Sequence, residues 1–140
     1  MSDQAVRVLL VEDNPADALL AAELIKETGV PTNITTVNDG EIAILTLEKM
    51  AESQTGFPDL ILLDINLPKK NGHEVLKFIR RAHLNRTFIA IYTGSSSPED
   101  ERNAKEHGAD AYIIKPIGSK EIERTVEKFR AILIAKSNSQ

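Results

Sequence analysis

Carboxylates, a threonine and a lysine close the apolar runs of this chain. Glu12-Asp13 follow VRVLLV, Asp64 follows LILL, Thr93 follows FIAIY and Lys115 follows AYII. Carboxylates gathered within a few ångströms cannot all stay ionised without a counter-charge. A hard divalent cation supplies it, and an all-oxygen donor set points to Mg2+. Such an ion takes one or two carboxylates, keeps several waters and favours phosphate oxygens, which leaves a position for a phosphoryl group. On this reading Asp64 is a carboxylate nucleophile that becomes an aspartyl phosphate. Lys115 is a point-charge donor to the phosphoryl oxygens, and the Thr93 hydroxyl follows them. Each residue also has an ordinary alternative: a polar turn for Glu12-Asp13, a turn cap before Pro68 for Asp64, a loop residue before Gly94 for Thr93, a solvated strand end for Lys115. Their joint placement after separate apolar runs carries the functional reading.

For these groups to meet, the runs must be neighbouring strands. The runs are Val6–Val11, Ile34–Val37, Leu60–Leu63, Phe88–Tyr92 and Ala111–Ile114, short and mostly continuous, as in strands buried on both faces of a parallel sheet. Helical patterns lie between them. Asn14-Pro15 opens the first toward Gly29, whose lack of a side chain suits a left-handed stop. Asp39 caps a second over roughly Gly40 to Met50, and a third runs roughly from His73 to Ala82. Ser97-Pro98-Glu99-Asp100 opens a fourth that ends near His107-Gly108. The fifth starts near Ser119 and carries Ile122, Val126, Phe129 and Leu133 on one face. Strand–helix alternation of this kind predicts an α/β fold, a doubly wound (βα)5 open five-stranded parallel sheet. Ligands of such sheets sit beyond the carboxyl ends of the strands, where the strand order reverses.

Composition sets the remaining bounds. The 140 residues fit one domain over 1–140, with a core of about 5–135 and a flexible tail over 136–140. With no Cys there is neither a disulfide framework nor a thiolate metal site. The start MSDQAVRV does not read as a signal peptide, and no apolar run approaches the roughly 20 residues of a membrane span, so the expected location is cytoplasmic. A net charge of −4 and the absence of Trp argue against nucleic acid as a partner.

The segments VLLVEDNPAD, DLILLDINLPKKNGHEVL, IAIYTGSSSPED and GADAYIIKPI together resemble the receiver domain of response regulators over essentially the whole chain. The resemblance implies a flavodoxin-like strand order of 2-1-3-4-5. It implies Asp64 as the phosphoacceptor in a Mg2+-dependent transfer from a sensor histidine kinase. Asp13 and Asp64 would bind the ion directly, Glu12 through water, and the backbone carbonyl of Asn66 would be a further ligand. Thr93 and Lys115 would contact the phosphoryl group. Thr93 and Tyr112 would form the switch, Tyr112 turning inward as Thr93 moves toward the phosphoryl oxygens. Lys115-Pro116 would be a cis peptide. EDNPAD and LPKKNG further resemble the single-domain regulators of bacterial and cyanobacterial phytochrome kinases.

The fifth helix uses nearly all the residues after it starts, so no output domain is expected to follow, and the signal would leave through the surface or by relay to a downstream His phosphotransfer protein. Ala131–Ala135, apolar nearly all round, suggests a homodimer through the fourth helix, fifth strand and fifth helix. Enzymatic turnover of outside substrates is not expected: haloacid-dehalogenase-like phosphatases need an acid two residues after the nucleophile, where Asn66 stands. A flavodoxin-type binding module would have to seat a flavin phosphate against Glu12-Asp13, which would repel it. A phosphorylation-independent scaffold would have no use for the intact acid set. His73 reads as an exposed helix-start residue, and His83 and His107 as structural or surface groups.

Overall fold

The computed structural model describes residues 5–54, 56–82 and 87–139. Strands and helices alternate as β1 (Val6–Val11), α1 (Pro15–Glu27), β2 (Thr32–Val37), α2 (Gly40–Ser53), β3 (Leu60–Leu63), α3 (Gly72–Arg81), β4 (Phe88–Thr93), α4 (Pro98–Glu106), β5 (Ala111–Ile114) and α5 (Ser119–Asn138). All strand pairs are parallel, in the order β2-β1-β3-β4-β5.

The continuous apolar runs have the expected cause. Successive side chains of a strand point to opposite faces, and here both faces are covered. Leu9, Val11, Ile61, Leu63, Ile89 and Ile91 pack against α2, α3 and α4 through Leu47, Val75, Leu76, Ile79 and Ala104. The alternate residues Val8, Leu10, Leu60, Leu62, Ala90 and Tyr92 pack against α1 and α5 through Leu24, Ile25, Phe129 and Leu133. The Tyr92 and Phe129 rings meet at 5.6 Å between centroids, tilted by 58°.

Helix starts follow side-chain chemistry. Asn14 Oδ1 accepts from the N–H groups of Ala16 and Asp17, Asp39 from Ile42, and Ser97 from Asp100. Asn71 and Glu74 form a reciprocal capping box at the start of α3. Gly29 takes φ +78°, the left-handed turn that ends α1.

Element ends differ from the sequence expectation in places. β2 begins at Thr32, because Thr32 and Asn33 pair with Val6 and Arg7 through the backbone although their side chains are polar. α2 continues through Ser53 and stops at left-handed Gln54. α5 continues through Asn138, so residues 136–138 of the expected tail are helical. Among the described residues, no helix is long and apolar enough to cross a membrane.

Two close approaches fix the loops at the carboxyl edge of the sheet. A Cβ on Gly40 would sit 1.8 Å from the Lys70 carbonyl oxygen, and one on Gly72 would sit 2.3 Å from that of Asp64. The Gly72 N–H also donates to the Ile65 carbonyl at 2.8 Å. The start of α3 is thereby clamped against the backbone that carries Asp64.

Candidate functional site

Glu12, Asp13 and Asp64 arrive together because β1 and β3 are adjacent and in register: Val11 pairs with Leu63, and the Asp64 N–H donates to the Val11 carbonyl at 3.2 Å. One carboxylate oxygen from each of the three acids lies within 4.8 Å of the others. Glu12 and Asp64 are buried at 2 % and 5 % exposure, while Asp13 faces solvent. Such a set of hard oxygens, with one open side, suits a divalent cation.

Lys115 reaches the same cluster from the far edge of the sheet. Its backbone N–H donates to the Thr93 carbonyl at 2.7 Å, which extends the β4–β5 ladder by one residue and aims the side chain inward. The ammonium donates to Asp64 Oδ2 at 2.8 Å and to Asp17 Oδ2 at 2.9 Å. It also lies 2.7 Å from Glu12 Oε1, an ion pair rather than a directed hydrogen bond. The Tyr92 ring lies beneath it at 5.9 Å, within cation–π range. Asp64 is thus held at both oxygens, since the Asn66 N–H donates to its Oδ1 at 3.2 Å.

The charges do not balance. Glu12, Asp13, Asp17 and Asp64 bring four negative charges and Lys115 one positive, leaving −3. A divalent ion would bring the cluster to −1. Burial is the largest influence on Glu12 and raises its carboxyl above the ordinary value; the Lys115 ammonium and the Asn14 N–H pull it back, and the Asp64 charge adds to the rise. For Lys115, burial is the largest single influence and lowers it. The contacts with Asp64, Glu12 and Asp17 together outweigh burial and hold the ammonium well above its ordinary range. Tyr92 is pushed up to about 12, chiefly by burial.

Thr93 ends β4 fully buried, with its hydroxyl engaged by its own loop: Oγ1 accepts from the Ser95 N–H at 3.3 Å. Tyr112, half-buried on β5, donates its hydroxyl to the Ser95 carbonyl at 2.9 Å. Both residues expected to form a switch therefore hold the same residue, Ser95, from two sides. Ser95 Oγ in turn donates to Asp100 Oδ2 at 2.6 Å on α4.

Two sequence expectations change here, and one residue is added to the site. The Lys115–Pro116 bond is trans, the isomer that X–Pro peptides favour by about 0.5–1 kcal/mol. His73 is not exposed: its side chain is 15 % accessible and lies 3.7 Å from Asp100 across the α3–α4 contact, because α4 covers the start of α3. Asp17 was not singled out by sequence, yet it is one of three carboxylates on Lys115. Its signal was weak, because an acid in a helix first turn is already explained by the helix dipole. His107 bonds the Asn103 carbonyl through Nδ1 at 2.8 Å and is structural. His83 lies outside the described residues.

Comparison with known proteins agrees with this geometry. The sequence model of the response regulator receiver domain matches residues 8–127. The response regulator Rcp1 of Synechocystis is 34 % identical over 122 residues, covering 86 % of this chain and 83 % of that protein. A probable methanogenesis regulatory protein, FilR2 of Methanothrix harundinacea, is 36 % identical, covering 88 % and 80 %. Among solved structures, the phosphorylated cyanobacterial phytochrome response regulator RcpA superposes with a TM-score of 0.75 at 32 % identity, covering 91 % of each chain. The Mn2+-bound form of Rcp1 gives 0.77 at 30 % identity, covering 90 % of this chain and 92 % of that one.

Proposed function

The chain belongs to the response regulator receiver family of two-component signalling, and on that premise we propose that it is a phosphoacceptor switch whose acceptor is Asp64 and whose ion is Mg2+. The observation that carries this reading is the Lys115 ammonium held at 2.8 Å from Asp64 Oδ2 inside an acid cluster whose charges sum to −3. Glu12, Asp13 and Asp64 would hold the ion, with the Asn66 carbonyl as a further ligand; once bound, it would offset two of the cluster's negative charges and ease the approach of the phosphoryl group. A carboxylate oxygen of Asp64 attacks phosphorus, the bond from phosphorus to the donor's leaving group breaks, and the electron pair departs with that group. The Asn66 N–H and Lys115 fix the orientation of Asp64, and the ammonium is already placed to donate to phosphoryl oxygens.

The donor is a sensor histidine kinase, and the similarity to Rcp1 and RcpA favours one of the phytochrome type. The protein works in the cytoplasm, and its own chemistry is self-phosphorylation and hydrolysis of its aspartyl phosphate, without turnover of other substrates. The switch runs through Ser95: a Thr93 hydroxyl drawn to the phosphoryl group releases the Ser95 N–H, and Tyr112 loses its fixed acceptor. Ile114 and Ile117, 45 % and 95 % exposed beside Tyr112, support α4, β5 and α5 as the face of a homodimer. The Ala131–Ala135 run contributes less to it than sequence suggested, since Leu133 is buried and Ile132 packs on the core.

Incubation with acetyl phosphate and Mg2+, followed by intact mass, tests the central reading. One added phosphoryl group is expected, absent in Asp64→Asn. A label that survives in that variant assigns the acceptor elsewhere and overturns the proposal.

A further inference from the structure

On the face opposite α1 and α5, a groove of about 350 Å3 separates α2 from α3. Ile44 and Phe78 line it, packed on the core yet only half-buried. Lys70, Lys77 and Arg81 stand exposed along its rim. Among the described residues Glu74 is the one acid lining it, and its carboxylate already accepts the Asn71 N–H at 3.0 Å in the capping box. None of the three cations joins an ion pair among the described residues. Lys77 and Arg81 are also four residues apart on one helix, a like-charge spacing that weakens a helix. A positive groove with an apolar floor is thus kept on a chain whose net charge is −4.

We propose that this groove docks an acidic segment of a partner protein, which seats an apolar side chain between Ile44 and Phe78 and pairs its carboxylates with Lys70, Lys77 and Arg81. Unpaired cations around a half-buried apolar pair match the pattern by which amphipathic segments are recognised in grooves. Nucleic acid fits less well, because the cations form a small cluster on an acidic protein rather than a basic face. The rim is also rigidly placed. Lys70 presses its carbonyl on Gly40, and the loop that carries it leads to Gly72 on the Asp64 backbone.

The probe is a synthetic helical peptide with Glu and Leu at helical spacing, titrated into the isotope-labelled full chain and followed by amide shifts and anisotropy. The expected result is saturable, salt-weakened binding, with shifts centred on Ile44, Lys70, Lys77, Phe78 and Arg81. Reversal of all three rim charges (K70E, K77E, R81E) should lower affinity at least about tenfold, and the neutral set K70Q, K77Q, R81Q should lower it less. The neutral set decides the matter if the reversed set fails to fold. Replacing the Leu residues of the peptide by Ser should also weaken binding. The proposal fails if the shifts map elsewhere, if the Ser peptide binds equally well, or if the neutral set leaves affinity unchanged. It also fails if a single-stranded oligonucleotide binds this groove more tightly than the peptide. Self-association of the chain at low salt that the neutral set abolishes would make a second copy the occupant, and would equally overturn it.

Discussion

Replacing Lys115 by Met removes the ammonium that faces Glu12 and Asp64 while keeping the length of the side chain. Both carboxylates are buried, and the Lys115 side chain is itself only 16 % accessible. Removing one partner of a buried pair costs about 3–5 kcal/mol, because the other charge stays behind. The cluster opens to solvent at Asp13, so the lower figure applies, about 3 kcal/mol. Unfolding entropy of about 2.1 cal/mol/K per residue gives roughly 0.3 kcal/mol/K for 140 residues, so the variant should melt roughly 10 °C lower in a chelator. Mg2+ at one hundred times its Kd adds about 2.7 kcal/mol to whichever form binds it. The variant lacks the competing ammonium and binds the ion more tightly, so added Mg2+ should narrow the gap between the two proteins. Acid should narrow it too. Without Lys115 the Glu12 carboxyl rises further above its ordinary 4.5, and a group raised in the folded state is fully accommodated only at low pH, its penalty growing as pH rises through that range. Calorimetry of both proteins with chelator, with Mg2+ and across pH supplies the measurement. A variant that melts with the wild type in chelator, or a gap that Mg2+ leaves untouched, would refute the electrostatic account of the site.

Other consequences follow from the same contacts. Gly72→Ala would place a methyl 2.3 Å from the Asp64 carbonyl oxygen, backbone against backbone, and should cost at least about 1–3 kcal/mol while slowing phosphorylation; denaturant melts and phosphorylation rates check both. Asp13→Asn removes one negative charge from the exposed side of the acid cluster, so Mg2+ affinity should fall with little change in chelator stability, as titration calorimetry would measure. Tyr92, pushed up to about 12 from 10.0, stays neutral in the folded protein while the unfolded chain ionises. Stability should therefore fall as pH rises from about 10 to about 12, by up to about 2.7 kcal/mol. Tyr92→Phe should lose less over that interval in denaturant melts, and an identical loss would contradict the assignment.

The sheet and its site were legible because their signals are local. Strand runs, the caps at Asn14, Asp39 and Ser97, and acids or a lysine directly after apolar segments can all be read within a few residues. What escaped depends on contacts between distant segments. Asp17 meets Lys115 across 98 positions, and nothing near Asp17 announces that partner. His73 is half-buried only because α4 crosses the start of α3. The Lys115–Pro116 isomer is decided by energies too small for sequence to settle. The cationic groove unites Ile44 of α2 with Arg81 of α3, a pairing that exists only once the two helices pack.

The division of β3 between two cores has a consequence for how the site can be lost. Leu62 belongs to one cluster and Leu63 to the other, and Asp64 is the next residue. A slip of a single position along β3 would exchange both sets of contacts and carry Asp64 to the wrong side of the sheet. A register shift of β3 therefore cannot separate Asp64 from Glu12 while the hydrophobic layers persist. Amides of β1 and β3 next to Asp64 should exchange with solvent only as fast as the whole molecule unfolds.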